Sequence, residues 1–394
     1  LPAAELEALQ TAPDMADYSE YIRNLIREKP HILSPEQEKL LAMMGELQQA
    51  PDNIFSMLSN VDMTFPDVHM PDGTTSPLRE SNLSAYLHDR NQDVRRQGWE
   101  GIMSTYGRFG ATIAAIYGAS VKKDQFNADA RHMPSAVEAS LFPYEIPLSV
   151  YDNLIAAVHE SLPSLTDYLK LRRERMGLSE LHMYDMYAPL VDNFDMDLPY
   201  PEAYQLVLEG LAPLGEDYVA KLKEAYSGGW IDVYENKGKR SGAYSWGAFG
   251  GHPYVLLNHN DTVNSMFTVA HEMGHALHSY FTWKKQPFVY SGHKIFVAEV
   301  ASTCNEALLM EYLLKTENKP SRQLYLINYF MEQFRGTLFR QTMFAEFEKK
   351  AHEMSASGTP LTCENLSSMY HELNRLYFGD DIVIDDYIDI EWAR

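Results

Sequence analysis

The chain has 394 residues, 45% of them hydrophobic and 22% charged, which is ordinary globular usage with length for more than one lobe and a large core. Its 55 acidic side chains against 33 basic ones give a formal charge of −22, which argues against nucleic acid as a partner because phosphates would be repelled. No apolar run reaches the ~18 residues of a membrane span, no signal-peptide pattern is visible, and Cys304 and Cys363 lack the number and spacing of a disulfide framework or a metal knuckle. The expectation is a cytoplasmic protein with no membrane partner, whose oligomeric state the sequence leaves open.

Most segments read as helices. Ser34-Pro35-Glu36-Gln37 is a helix start: Ser34 caps, Pro35 suits the first helical position, and Gln37 completes a capping box. Leu40, Leu41, Met44 and Leu47 follow at helical spacing and predict a buried stripe. Pro66, Pro71, Gly73 and Pro77 mark residues 65–77 as a loop and a domain boundary, so 1–65 reads as an N-terminal helical domain and 78–394 as the main domain. Helical periodicity returns over 83–119, 147–161, 164–176 and 201–225. The main β candidate runs from Trp230 to Leu257. Alternation in Trp230–Tyr234, a turn at 235–238, and Tyr244, Trp246 and Phe249 spaced by small residues carry it. Gly250 and Gly251 leave little bulk along this piece, which predicts a strand edge open to an extended peptide; a bulged hairpin with a glycine loop is the plainer alternative.

The chemistry centres on His271-Glu272-Met273-Gly274-His275, an H-E-x-x-H motif. Histidines four apart on a helix share a face and can address one metal ion, with Glu272 beside it as general base. The motif is short, so its context decides. Asp261 is a good N-cap, and Val263, Phe267, Val269, Ala270, Met273, Ala276, Leu277 and Phe281 give a broad apolar surface at helical spacing. Gly274 is costly in a helix and predicts close approach of a substrate or another backbone.

A catalytic zinc usually takes three protein ligands. The stretch 295–310 reads as a second, mostly buried helix bearing Glu299 and Glu306 seven apart on one face. Buried carboxylates demand partners. Glu299 fits a metal ligand. Glu306 fits either an orienting hydrogen bond to a histidine ring or a salt bridge to a basic residue. His278 shares the face of His271 and is open to ligation, substrate contact or packing, the last being favoured by its position.

These residues resemble oligoendopeptidase F, within the thimet-oligopeptidase superfamily of zinc metallopeptidases. Besides the HEMGH helix, the resemblance is carried by GAYSWG (242–247), HPYVLLN (252–258), FVAEVASTCNEALL (296–309), LFRQTMFAEFE (338–348) and MLSNVDMTFP (57–66). It implies a mostly α, two-lobed, zincin-like peptidase with a deep cleft and a small β-sheet beside the active-site helix. It also implies one Zn2+ on His271, His275 and Glu299, Glu272 as base, and short peptides cut at internal bonds. Members continue past the part resembling residues 388–394 into a segment rich in His and Tyr, so the chain is expected to be truncated at both ends. Oxyanion donors are expected from that segment, with His252 and Tyr254 as further candidates. The alternatives are a metal-dependent amidase and a non-catalytic peptide-binding protein on the same fold.

Overall fold

The computed structural model describes residues 1–191 and 198–394. The chain divides into two compact units. One comprises Leu1–Lys29 with Asn193–Phe330, the other Pro30–Asp192 with Met331–Arg394. The loop at residues 65–77 falls inside the second unit, where it folds as a short antiparallel pair, Val68–His69 with Thr75–Ser76, turning at Gly73.

The second unit is helical. Helices Gln92–Arg108, Gly110–Ala130, Leu148–Met176, Gln341–Ala356 and Cys363–Phe378 surround a core that includes Ile102, Leu169, Met343, Tyr370 and Tyr377. Two buried arginines find acceptors in its polar interior, although Arg172 Nε and Asn374 Oδ1 have no hydrogen-bond partner. Arg95 donates to Asp185 Oδ1 through Nε at 3.0 Å and Nη2 at 2.6 Å, and Arg172 donates to the carbonyls of Asp185 and Ala188. Two sequence expectations differ here. The segments at 147–161 and 164–176 form one helix, Leu148–Met176, which carries Pro163 in its interior and forgoes one backbone hydrogen bond there. The helix Pro35–Gln48 starts with the expected Ser34–Gln37 capping box, but its apolar stripe is not buried: Leu40 is 61% and Leu47 71% exposed. Periodicity defines an apolar face, whereas burial needs a surface opposite it, and none covers these two among the described residues.

The first unit holds the HEMGH segment. Helices Tyr200–Gly210 and Glu216–Ser227 replace the single one expected over 201–225, because Pro213 and Gly215, at φ +96°, break it. Three short strands follow: β1 (Ile231–Asp232), β2 (Tyr244–Trp246) and β3 (Tyr254–Leu256). Their order is β1–β3–β2, with β3 parallel to β1 and antiparallel to β2. Tyr244 pairs with Leu256 and Trp246 with Tyr254, so these four share one face of the sheet. Ser245 and Val255 take the other, and Val255 is buried in the unit's core. Next come helices α1 (Val263–Lys285) and α2 (Val300–Thr316). The cap of α1 is Thr262, whose hydroxyl accepts from Ser265 N at 3.2 Å, and not Asp261, which is left-handed at φ +60°. Met266, Ala270, Met273 and Leu277 on α1 are fully buried, together with Leu309 of α2. No helix among the described residues is long and apolar enough to cross a membrane.

Candidate metal centre

The histidines of α1 lie one turn apart and face the start of α2. His271 Nε2 and His275 Nε2 are 3.1 Å from each other. Glu299 Oε2 lies 3.3 Å from the first and 3.2 Å from the second. Three lone-pair donors thus form a nearly equilateral triangle. Ligand atoms bound tetrahedrally to zinc at ~2.0–2.1 Å are separated by about 3.3 Å, so the triangle matches one face of a zinc tetrahedron and leaves the opposite corner for water or substrate. Among the described residues, this is the group of His, Cys, Asp and Glu side chains that can hold a metal. The donor set, two imidazoles and a carboxylate, fits zinc.

Each histidine is oriented through its other nitrogen. His271 Nδ1 donates to Glu306 Oε1 at 2.6 Å, which leaves Nε2 with its lone pair toward the triangle. His275 hydrogen-bonds the backbone of Ala298. The two rings respond differently to their settings. Burial pushes His271 toward its neutral form, but the hydrogen bond and charge of Glu306, helped by Glu272 and Glu299, outweigh it and raise its pKa. In His275 burial prevails over the charge of Glu299, with His271 and His293 adding to it, and the pKa falls.

Glu272 is 6% exposed, and its Oε2 is buried without a hydrogen-bond partner. Burial pushes its carboxyl above the usual range, against the opposing pull of His271. The carboxyl feels the charges of His271 and Glu299, and a desolvated carboxyl with a raised pKa beside such a group suits a proton acceptor.

Gly274 shows which backbone approaches α1. A Cβ there would stand 2.6 Å from Ser302 Cα, 2.8 Å from Ser302 N and 2.8 Å from Ala301 O. The glycine therefore admits the first turn of α2, not a substrate. Asn305 reinforces the contact by donating to the Ala270 carbonyl at 2.9 Å while accepting from Tyr218. Residues 295–310 do not form the expected continuous buried helix. Ile295–Val297 is a 3-10 turn, Glu299 is the N-cap residue of α2 with its side chain 62% exposed, and Ile295, Phe296 and Val300 are exposed. Between the two partners open to Glu306, the structure gives His271.

The remaining candidates lie outside the triangle. His278 stacks on His293 with ring centroids 4.1 Å apart, and burial followed by the His293 charge lowers its pKa. His252 stacks on Trp230 at 4.8 Å and accepts no role in the donor group; its Nδ1 bonds the Pro253 carbonyl. Tyr254 is 58% exposed on β3. Gly250 and Gly251 are not on a strand: β2 ends at Trp246, and both glycines belong to the connection to β3, where Gly250 takes φ +90°. Positive φ suits a turn and cannot continue a β ladder. His293 and Ser302 escaped sequence reasoning. His293 sits in an unpatterned loop. Ser302 carries a signal in retrospect, since it stands three residues after Glu299 at a helix start, the spacing at which capping side chains meet.

Residues 85–393 match Peptidase family M3, and residues 1–65 match Oligopeptidase F. The chain is 47% identical over 377 residues to Oligopeptidase PepF of Bacillus subtilis (strain 168), an alignment covering 96% of this chain and 56% of that relative. A crystal structure of a Chlamydophila abortus protein superposes with a TM-score of 0.92 at 34% identity, over 100% of this chain and 66% of the other. The crystal structure of oligoendopeptidase-F from Enterococcus faecium gives a TM-score of 0.77 at 35% identity, over 99% and 66%. The chain thus spans little more than half the length of the curated relative. The match over 85–393 takes in both histidines, Glu272, Glu299 and the helices that carry them, and on it the chain belongs to Peptidase family M3.

Proposed function

We propose that the protein is part of a zinc-dependent endopeptidase that cuts internal bonds of short peptides, with His271, His275 and Glu299 holding the metal and Glu272 acting as general base. The observation that carries this is the 3.1–3.3 Å triangle of donors, with Glu272 following the first of them in sequence. Zinc bound there supplies Lewis acidity, which makes water nucleophilic near neutral pH and polarises a peptide carbonyl. Glu272 takes the proton of the attacking water and returns it to the departing amine. Its burial favours this, because a carboxyl with a raised pKa holds the proton longer than an exposed one. Glu306 keeps His271 in the tautomer that leaves Nε2 free.

The substrate enters as an extended chain along β2. This strand lies at the edge of the three-stranded sheet, contacts α1, and displays Tyr244 and Trp246 outward. Backbone pairing at such an edge accepts varied sequences, which suits a peptidase of broad taste. Domain limits of 1–65 and 78–394 are part of the proposal; the matches over 1–65 and 85–393 support them, while the compact units divide the chain elsewhere. The free thiols Cys304 and Cys363 suit a reducing, cytoplasmic setting.

The test is zinc content by elemental analysis of the protein and of Glu299→Ala. About one zinc per chain, lost or sharply reduced in the variant, supports the site. No zinc in the protein, or full zinc in the variant, overturns it. Cleavage of a quenched peptide blocked at both ends then separates internal cutting from exopeptidase action.

A further inference from the structure

Glu299 is an unusual ligand by its setting. It caps α2 rather than lying within it, and its side chain is 62% exposed. Such a carboxylate is free to sample several rotamers and must give up that freedom to join two histidines at a metal. His271 has Glu306 to hold it, and His275 has the Ala298 backbone.

We propose that Ser302 is the positioning residue for Glu299. Its hydroxyl donates to Glu299 Oε2 at 2.7 Å, the same oxygen that lies 3.3 Å and 3.2 Å from the two histidine nitrogens. The hydroxyl also lies 3.0 Å from the Glu299 carbonyl, which competes for its single proton, but the carboxylate oxygen is the nearer and the charged acceptor. Ser302 itself is tightly packed. It is fully buried, and its Cα and N are the atoms that Gly274 admits against α1, at 2.6 Å and 2.8 Å from where a Cβ would be. The anchor for the third ligand is therefore fixed to the helix that carries the first two. A carboxylate oxygen has more than one lone pair, so the serine bond and a metal bond coexist on Oε2. The bond aims the carboxylate at the triangle before any metal arrives, and it withdraws an exposed side chain from solvent-facing rotamers.

The proposal rests on the metal site argued above, and the test separates the two. Zinc dissociation constants and rates of zinc loss to a competing chelator are measured for the protein, for Ser302→Ala and for Thr303→Ala, with thermal unfolding of each zinc-free protein. Thr303 is the control: its hydroxyl bonds the Glu299 carbonyl in the same turn but not the carboxylate. Ser302→Ala is expected to bind zinc about 10–100-fold more weakly and to lose it correspondingly faster, while Thr303→Ala stays within about twofold of the parent. Zinc affinity of Ser302→Ala within about twofold of the parent overturns the positioning role. Equal weakening in both variants also overturns it, because a general loosening of the helix start would then explain the loss. If the parent protein binds no zinc, the metal site itself fails and the positioning role falls with it.

Discussion

Replacing Gly274 by alanine tests how the site is built, because a methyl group there changes no ligand and no charge. The new Cβ would stand 2.6 Å from Ser302 Cα and 2.8 Å from Ala301 O. Carbon atoms rest at about 3.5–4.0 Å, so the first turn of α2 must retreat by about 1 Å. Glu299 leads that turn, and its Oε2 lies 3.2–3.3 Å from the histidine nitrogens. A shift of ~1 Å stretches these separations to roughly 4 Å, whereas metal–ligand distances tolerate only about ±0.2 Å. The carboxylate then leaves the coordination sphere, and zinc affinity falls by at least about tenfold, ~1.4 kcal/mol. Stability of the zinc-free protein moves less. Alanine gains about 1 kcal/mol over glycine in a helix, while overpacking costs about 1–3 kcal/mol, so the net lies between neutral and about 2 kcal/mol of loss. Zinc titration by chelator competition and thermal melting of the zinc-free variant read the two effects apart. A Gly274→Ala protein that melts higher than its parent and binds zinc equally well would refute the reasoning, since α2 would then be shown to yield without moving Glu299.

Other variants probe separate groups. Glu272→Gln is expected to keep one zinc per chain while turnover drops by about 10²–10⁴, and zinc loss in that variant would contradict a base that is not a ligand. Glu306→Gln should weaken zinc by about 10–100-fold through His271, and unchanged affinity would remove its orienting role. In the second unit, Asp185→Ala leaves Arg95, 2% exposed, without its carboxylate and should cost about 3–5 kcal/mol by urea unfolding. The double change Arg95→Met with Asp185→Leu should recover most of that, and an equal loss in both would show that packing rather than charge dominates. The Asp124 hydrogen bond raises the His352 pKa above 6.5 despite partial burial. Its stabilisation is therefore full below 6.5 and lost as pH rises through the folded value, so Asp124→Asn should destabilise at about pH 6 and do little at about pH 9.

Periodicity made α1 legible, because its two histidines, its apolar surface and its length are all written at helical spacing. The capping box at Ser34 was legible for the same reason: its partners are three residues apart. What the sequence withheld is tertiary. It marked Gly274 as a close approach without saying to what, and the answer, Ser302, is 28 residues away. It marked Leu40 and Leu47 as an apolar face without saying whether anything lies against them. It read Gly250 and Gly251 as strand because small residues alternate with aromatics there, but a local pattern does not reveal the φ +90° that makes a turn. The Glu299–Glu306 spacing is the most instructive case. Seven residues put two carboxylates on one helical face, about 10 Å apart along the axis. That distance is too great for a shared metal, and it admits two unrelated partners as well as one ring held between them. The structure places Glu299 Oε2 3.3 Å from Nε2 of His271 and Glu306 Oε1 2.6 Å from its Nδ1, so the two acids address opposite sides of one imidazole. Glu299 reaches because it precedes the helix, where its side chain is not committed to the helical face. The spacing was visible, and the exit of Glu299 from the helix, which gives the two carboxylates different work, was not.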